Sequence, residues 1–414
     1  GSRYPIAYTP LVLADYRLHE NNISSAKFYS GRHLVDIDKV FKKIVQFLPA
    51  NARSAATRNL RKNYISWVLD TTYESWFNEA DPKLVYNQVR AIGKTWFNWA
   101  ILKRMAHQVM LVRRMRGYSF SPFQVKHSDL SKELFIPDNK ALEKEGYYVV
   151  YWWNRWPLGH VYWQKAYNYE AEQSKAYVWE AIVVALRQYV QPSAREKLGE
   201  EDFFKGNADQ VRNRICELLE PAQQPVAMPG KVPVSVVICT RYRDAKLKHC
   251  LESLQQQVCT PEEIIVVDNT ETRPMESTRT LLENFPGIIY LKETRTGLDI
   301  ARNAGGHRAT CAIVAYADDD VVVEADWALR IWEAFGDQKV GAITGLVLAA
   351  ELKTASQLQF EKYWSFNNGY ACKMYAPSFL HTDRFDAPKV WSIGAGANMA
   401  FRKSVLETLN YFDE

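Results

Sequence analysis

Ala312-Ile-Val-Ala-Tyr-Ala-Asp-Asp-Asp-Val-Val-Val323 carries an apolar run straight into three consecutive carboxylates, Asp318, Asp319 and Asp320. The run has the length and composition of a buried strand. Packing gives no reason to end such a strand in three acids, because like charges at this spacing repel and raise one another's pKa. A divalent cation would remove the repulsion, and a metal held by carboxylates can in turn hold a diphosphate. In an extended chain Asp318 and Asp320 project to one side and Asp319 to the other. Two carboxylates are therefore expected to share one site, with the third making a separate contact.

Outward from this stretch, strands and helices alternate. Val234–Cys239, Glu263–Val267, Ile288–Leu291 and Val340–Leu348 read as further strands. Between them, Leu247, Cys250, Leu251 and Leu254 form a helical stripe, and helices are expected near Met275–Asn284, over Leu298–Arg308 and over Trp327–Phe335. The pattern predicts an α/β fold: a Rossmann-like, mainly parallel sheet with helices on both faces. Ligands of such sheets bind at the carboxyl ends of the strands. Thr240, Asp268 and the three acids all fall there.

The chain has 414 residues, enough for two or three domains. Residues 1–32 have no clear period and read as a lead-in segment. Residues 33–140 read as a helical, basic domain, with Asp81-Pro82 opening a helix that runs towards Gly117. Residues 145–222 read as a small α+β module. In it, a hairpin over 146–163 precedes helices at Ser174–Tyr189 and Asp202–Leu219. The proline-rich stretch 223–233 reads as a linker and 234–414 as the last domain.

Charge is uneven. Residues 1–230 carry 32 basic and 23 acidic residues, whereas 231–414 carry 20 and 24. From Pro82 to Ser128 there are nine basic residues and no acidic one, with Trp96, Phe97 and Trp99 interleaved. Two readings stand open for residues 82–128: a bundle helix with a solvated basic face, or peripheral contact with an anionic membrane. No nucleic-acid-binding motif accompanies the charge, so no nucleic-acid partner is expected. None of the six cysteines forms a C-x-x-C pair, and several sit in apolar patterns, as reduced thiols of a cytoplasmic protein would. No run of 18 apolar residues is present to span a membrane. No G-x-G-x-x-G follows the first strand, which argues against a dinucleotide-dependent enzyme.

Four segments suit a single chemistry, the binding of a nucleotide diphosphate: Val237–Asp244, Ile265–Asn269, Gly297–Gly305 and Tyr316–Asp320. A strand-end Asp268 can accept from a base N–H. Tyr242 can stack on the base, and Arg302 can meet phosphate oxygens. Together these segments resemble glycosyltransferase family 2, the nucleotide-sugar transferases of GT-A fold, over residues 234–414. The resemblance implies inverting transfer from a UDP-, GDP- or dTDP-linked sugar to a glycan or lipid-linked acceptor, with Mn²⁺ or Mg²⁺ as cofactor. It implies that Thr240, Tyr242 and Asp268 hold the nucleoside, that Arg302 lies near the diphosphate, and that Asp318 or Asp319 touches the ribose. Asp320, with Asp318, would hold the metal. Gly394-Ala-Gly-Ala-Asn-Met-Ala-Phe-Arg402 matches a later family segment. That match implies donor or acceptor contacts from Gly396 and Asn398, with Trp391 just before them. In the family the general base follows the segment matched by Phe412-Asp-Glu414, so it is expected beyond Glu414 and the domain reads as shortened at its C-terminal end. The resemblance also implies work in surface polysaccharide or glycolipid assembly, in the cytoplasm at the inner membrane face. Two rival readings are a non-catalytic nucleotide-sugar-binding scaffold and a haloacid-dehalogenase-type phosphatase, whose nucleophile loop also carries an Asp-x-Asp after a strand.

Overall fold

A computed structural model describes residues 6–16 (backbone), 121–164, 169–190, 208–219, 228–271, 277–376 and 392–413, with scattered positions at 39–58, 195, 198 and 379. The helical reading of 59–120, including the Asp81-Pro82 start, lies outside the described residues.

The main sheet is built on strands β5 (Lys231–Thr240), β6 (Thr260–Asp268), β7 (Ile288–Lys292) and β8 (Ile313–Asp318). They lie in the order β8-β5-β6-β7, all parallel. Both faces are covered, so alternate side chains feed two separate cores. Val234, Val236, Ile238, Val266, Ala315 and Ala317 pack on one face against α3 (Asp244–Gln255) and α6 (Trp327–Ala334). Val237, Ile265, Val267, Val314 and Tyr316 pack on the other against α5 (Leu298–Arg308) and α8 (Lys403–Leu409). A short helix, α4 (Ser277–Leu282), joins β6 to β7 and adds Leu282 to the first core.

Beyond β8 the sheet stops being uniformly parallel. Strand β12 (Asn398–Arg402) runs antiparallel between β8 and β10 (Ala342–Ala349). Two reversals leave β10 pointing the same way as β8, so its carboxyl end reaches the same edge as Asp318. Strand β1 (Ile6–Tyr16) then pairs parallel with β10. Its far edge is shared by β11 (Lys373–Tyr375) at one end and β9 (Val321–Val323) at the other. Residues 6–16 are therefore a strand of the main sheet and not part of a lead-in. The register of β1 shifts between Thr9 and Val12, on either side of Pro10, which has no N–H for the ladder.

A second sheet joins β2 (Phe123–Asp129), β3 (Gly146–Trp153) and β4 (Trp156–Trp163). The expected hairpin is present, turning at Asn154 with φ of 51°. Strand β2 runs parallel to β3, which corrects the helical reading of 121–129. Helices α1 (Ala171–Tyr189) and α2 (Ala208–Leu219) add Val178, Ile182, Val211 and Ile215 to its core. The 223–233 stretch does not separate two cores. Residues 231–233 already belong to β5, and the aromatic core of the second sheet includes Leu346, Leu348 and Ala349 of β10 and Leu358 of α7 (Ala355–Tyr363). Across that seam Tyr148 donates to Glu361 Oε1 at 3.2 Å, and His160 Nδ1 meets the Tyr370 hydroxyl at 2.8 Å.

Candidate active site

The carboxyl ends of β5, β6 and β8 gather most of the expected residues. Thr240 closes β5, and its hydroxyl donates to Asp319 Oδ2 at 2.7 Å. Tyr242 follows with φ of 58°, a left-handed conformation that costs an aromatic residue energy, and is exposed. Arg243 then reaches back across the site. Its Nη1 donates to Asp319 Oδ1 at 2.7 Å and its Nη2 to Asp320 Oδ2 at 2.5 Å. Lys246, one turn into α3, feels both acids and Glu351; burial and the neighbouring Arg243 lower its pKa.

The acids do not divide as strand alternation predicted. Asp318 is the last residue of β8, and Asp319-Asp320 form a turn before β9. The turn breaks the two-residue period, so Asp319 and Asp320 share one guanidinium while Asp318 faces another. Arg302 Nη2 lies 3.6 Å from Asp318 Oδ1, and its Nη1 donates to Asp299 at 3.2 Å. Burial pushes Asp318 and Asp319 upward, Asp319 to about 6, although Arg302 and Arg243 respectively oppose the shift. Among the described residues no group of three or more His, Cys, Asp or Glu forms a metal-binding cluster.

Asp268 ends β6, buried, with both oxygens hydrogen-bonded and, among the described residues, one acceptor position of Oδ1 left without a partner. Its Oδ1 accepts from the Thr270 N–H at 3.0 Å, and its Oδ2 from the Tyr290 hydroxyl at 2.9 Å and Lys292 Nζ at 3.1 Å. Burial alone would raise its pKa; these hydrogen bonds outweigh that and hold it below the usual carboxylate range. Asn269 beside it holds the loop into α5: its Nδ2 donates to the Glu293 and Arg295 carbonyls, and its Oδ1 accepts from the Gly297 N–H.

Three residues were expected at the donor or acceptor side. Trp391 lies outside the described residues. Gly396 packs against Arg302, whose Nη2 would stand 2.7 Å from a Cβ added there. Asn398 requires a correction. It is 1% exposed, accepts from Trp327 Nε1 at 3.2 Å and donates to the Leu346 carbonyl at 3.2 Å. Its buried side chain ties β12 to α6 and β10.

Sequence reading also missed residues. Arg243, Lys292 and Tyr290 received no role. The parallel register that sets Lys292 opposite Asp268 is the signal that finds Lys292. Arg243 becomes visible only once the turn at Asp319-Asp320 is known.

The family described as "Glycosyl transferase family 2" matches residues 235–409, which span all of these elements from β5 to α8. That match covers less than half of the chain and marks residues 235–409 as similar to this family. Two curated relatives share part of the chain. The uncharacterized glycosyltransferase YibD of Escherichia coli (strain K12) is 33% identical over 88 residues, 21% of this chain and 26% of its own length. The succinoglycan biosynthesis protein ExoM of Rhizobium meliloti (strain 1021) is 31% identical over 132 residues, 30% of this chain and 41% of its own. Among solved structures, mannosyltransferase PcManGT from Pyrobaculum calidifontis, in complex with GDP-Man and Mn²⁺, is 21% identical with a TM-score of 0.29. That match covers 46% of this chain and 51% of that one. The chain spans less than half the length of either of these curated relatives. No helix among the described residues is long and apolar enough to cross a membrane.

Proposed function

We propose that this chain is a divalent-metal-dependent, inverting glycosyltransferase that moves a sugar from a nucleotide-diphosphate donor to an acceptor hydroxyl. The observation that carries the reading is the convergence, inside the family 2 segment, of Asp268, Thr240 and Asp318–Asp320 on one sheet edge. Asp268, held ionised by its three donors, accepts from the base N–H. Tyr242 offers an exposed ring for stacking on the base. Asp318 or Asp319 takes the ribose hydroxyls, and Arg302 meets the diphosphate. Gly396, against Arg302, would lie towards the sugar, and Trp391 is assigned to the sugar or acceptor by its sequence position alone.

Asp318 and Asp320 would hold the cation. The donor set fits a hard metal such as Mn²⁺ or Mg²⁺: all oxygen, gathered where two guanidinium groups already answer concentrated negative charge. When bound, the cation would stabilise charge on the departing diphosphate. Transfer with inversion also needs a base to take the acceptor's proton. No described residue is assigned that role.

The acceptor is proposed to be a growing glycan or a lipid-linked one at the inner membrane face, which the name of the succinoglycan biosynthesis relative supports. The basic, tryptophan-bearing residues 82–128 would supply peripheral contact with anionic lipid. The phosphatase reading draws no support, since the family 2 match spans the whole Asp-x-Asp strand and its neighbours.

Calorimetric titration with UDP, GDP and dTDP, with and without Mn²⁺, tests the donor site. At least one nucleotide should bind, and more tightly with metal. Failure of all three overturns the reading. In Asp320→Ala the metal response should disappear while some nucleotide affinity remains; an unchanged response removes Asp320 from the metal.

A further inference from the structure

We propose that Arg243, which also holds Asp319, and the divalent cation are alternative occupants of the Asp320 carboxylate, and that the donor's diphosphate draws the guanidinium away. This rests on the donor-site reading above.

Arg243 and Thr240 together hold three of the four carboxylate oxygens of these two acids. Arg243 places one terminal nitrogen on each acid, at 2.7 and 2.5 Å. The second oxygen of Asp319 already accepts from Thr240. A hard cation such as Mg²⁺ takes a carboxylate oxygen at roughly 2.0–2.1 Å, and on Asp320 it would take either the oxygen that Arg243 holds or the one beside it. Two cationic groups on one carboxylate repel strongly in a buried setting. The side chains differ in freedom: both acids are 3% exposed, whereas Arg243 is 31% exposed and follows the left-handed Tyr242 at the rim. Arg243 is the partner able to leave, and its planar fork suits phosphate oxygens as well as carboxylates.

The arrangement has a thermodynamic consequence. Without ligand, Arg243 prevents two buried acids from standing unpaired, a condition that is strongly destabilising. Metal alone must break two charge-assisted bonds to enter. Metal with diphosphate gives the displaced guanidinium a new anionic partner. Cation and nucleotide should therefore bind cooperatively, each raising the other's affinity by the same factor.

Free Mn²⁺ measured by electron paramagnetic resonance tests this in the wild type, Arg243→Met, Arg243→Lys and Lys246→Met, each with and without GDP or UDP. In the wild type the nucleotide should tighten Mn²⁺ binding about tenfold or more, within the usual range of site coupling. Arg243→Met should bind Mn²⁺ without nucleotide about as tightly as the wild type does with it, and should lose most of the coupling. Arg243→Lys keeps the charge but cannot span both acids; it should fall between, and it carries the comparison if the Met variant does not fold. Lys246→Met removes an equal charge nearby without touching the paired bonds, and should stay within about threefold of the wild type. The inference is overturned if Arg243→Met binds Mn²⁺ alone no more tightly than the wild type, or if Lys246→Met gains as much. If the wild type binds neither nucleotide, with or without Mn²⁺, the donor-site reading itself falls, and the inference with it.

Discussion

Asn269 holds more of the site in place than its turn-like sequence context implies. One buried amide satisfies the Glu293 and Arg295 carbonyls and the Gly297 N–H, fixing the approach to α5. Each such bond contributes about 1 kcal/mol net, and more when its loss leaves a buried partner unpaired. Asn269→Ala should therefore cost roughly 2–4 kcal/mol in urea unfolding and weaken nucleotide binding. Asn269→Asp should be worse at neutral pH, because a carboxylate would face two carbonyls. Equal stability of the Asp variant and the wild type would show that the loop does not depend on this amide. Asp268-Asn269 was legible as a polar strand end, but the partners of Asn269 lie 24–28 residues further on, where no local pattern points. The three acids were legible as a site. Their division between Arg243 and Arg302 was not, since the alternation rule ends where β8 gives way to a turn.

The contact of α5 with the sheet turns on a missing side chain. A Cβ at Gly305 would stand 2.3 Å from Val237 Cγ1 and 3.1 Å from Val267 Cγ2. Gly305→Ala should therefore destabilise by roughly 1–3 kcal/mol through overpacking. It should also lower nucleotide affinity, because the displaced helix carries Arg302. Adding Val237→Ala should recover part of the loss, as expected of residues in contact. Fully additive costs would refute the close-packing account. The elements around this contact were readable because β5, β6 and β8 each carry a continuous apolar run and α5 matches its expected span. Strands β1, β2 and β12 were not. Pro10 interrupts β1, β2 alternates weakly beside the basic stretch, and β12 has five residues whose partners come from both sides.

The second sheet and the main sheet meet in one hydrophobic cluster, with Glu361 buried at the seam. The proline-rich stretch 223–233 was read as a linker between domains, yet the aromatic core of the module before it is completed by β10 and α7. Burial raises Glu361 to about 7, although the Ser365 and Tyr148 hydroxyls oppose the shift. A carboxyl raised above its ordinary 4.5 contributes stability that is fully present below that value and lost as pH rises through about 7. Relative to Glu361→Gln, the wild type should lose roughly 2–3 kcal/mol between about pH 4.5 and 8 in chemical unfolding. Parallel pH profiles for the two proteins would remove Glu361 as the cause. The place of β12 matters differently while the polypeptide is being made. β5, β6 and β8 have their partners once residue 318 has left the ribosome, but the flanks of β8 and β10 that face one another stay bare until Asn398–Arg402 arrives to fill the gap. Bare flanks backed by apolar cores invite wrong partners. A nascent chain stalled between Ala349 and Asn398 is thus a natural client for holdase chaperones, and slow codons there carry more risk of aggregation than slow codons upstream.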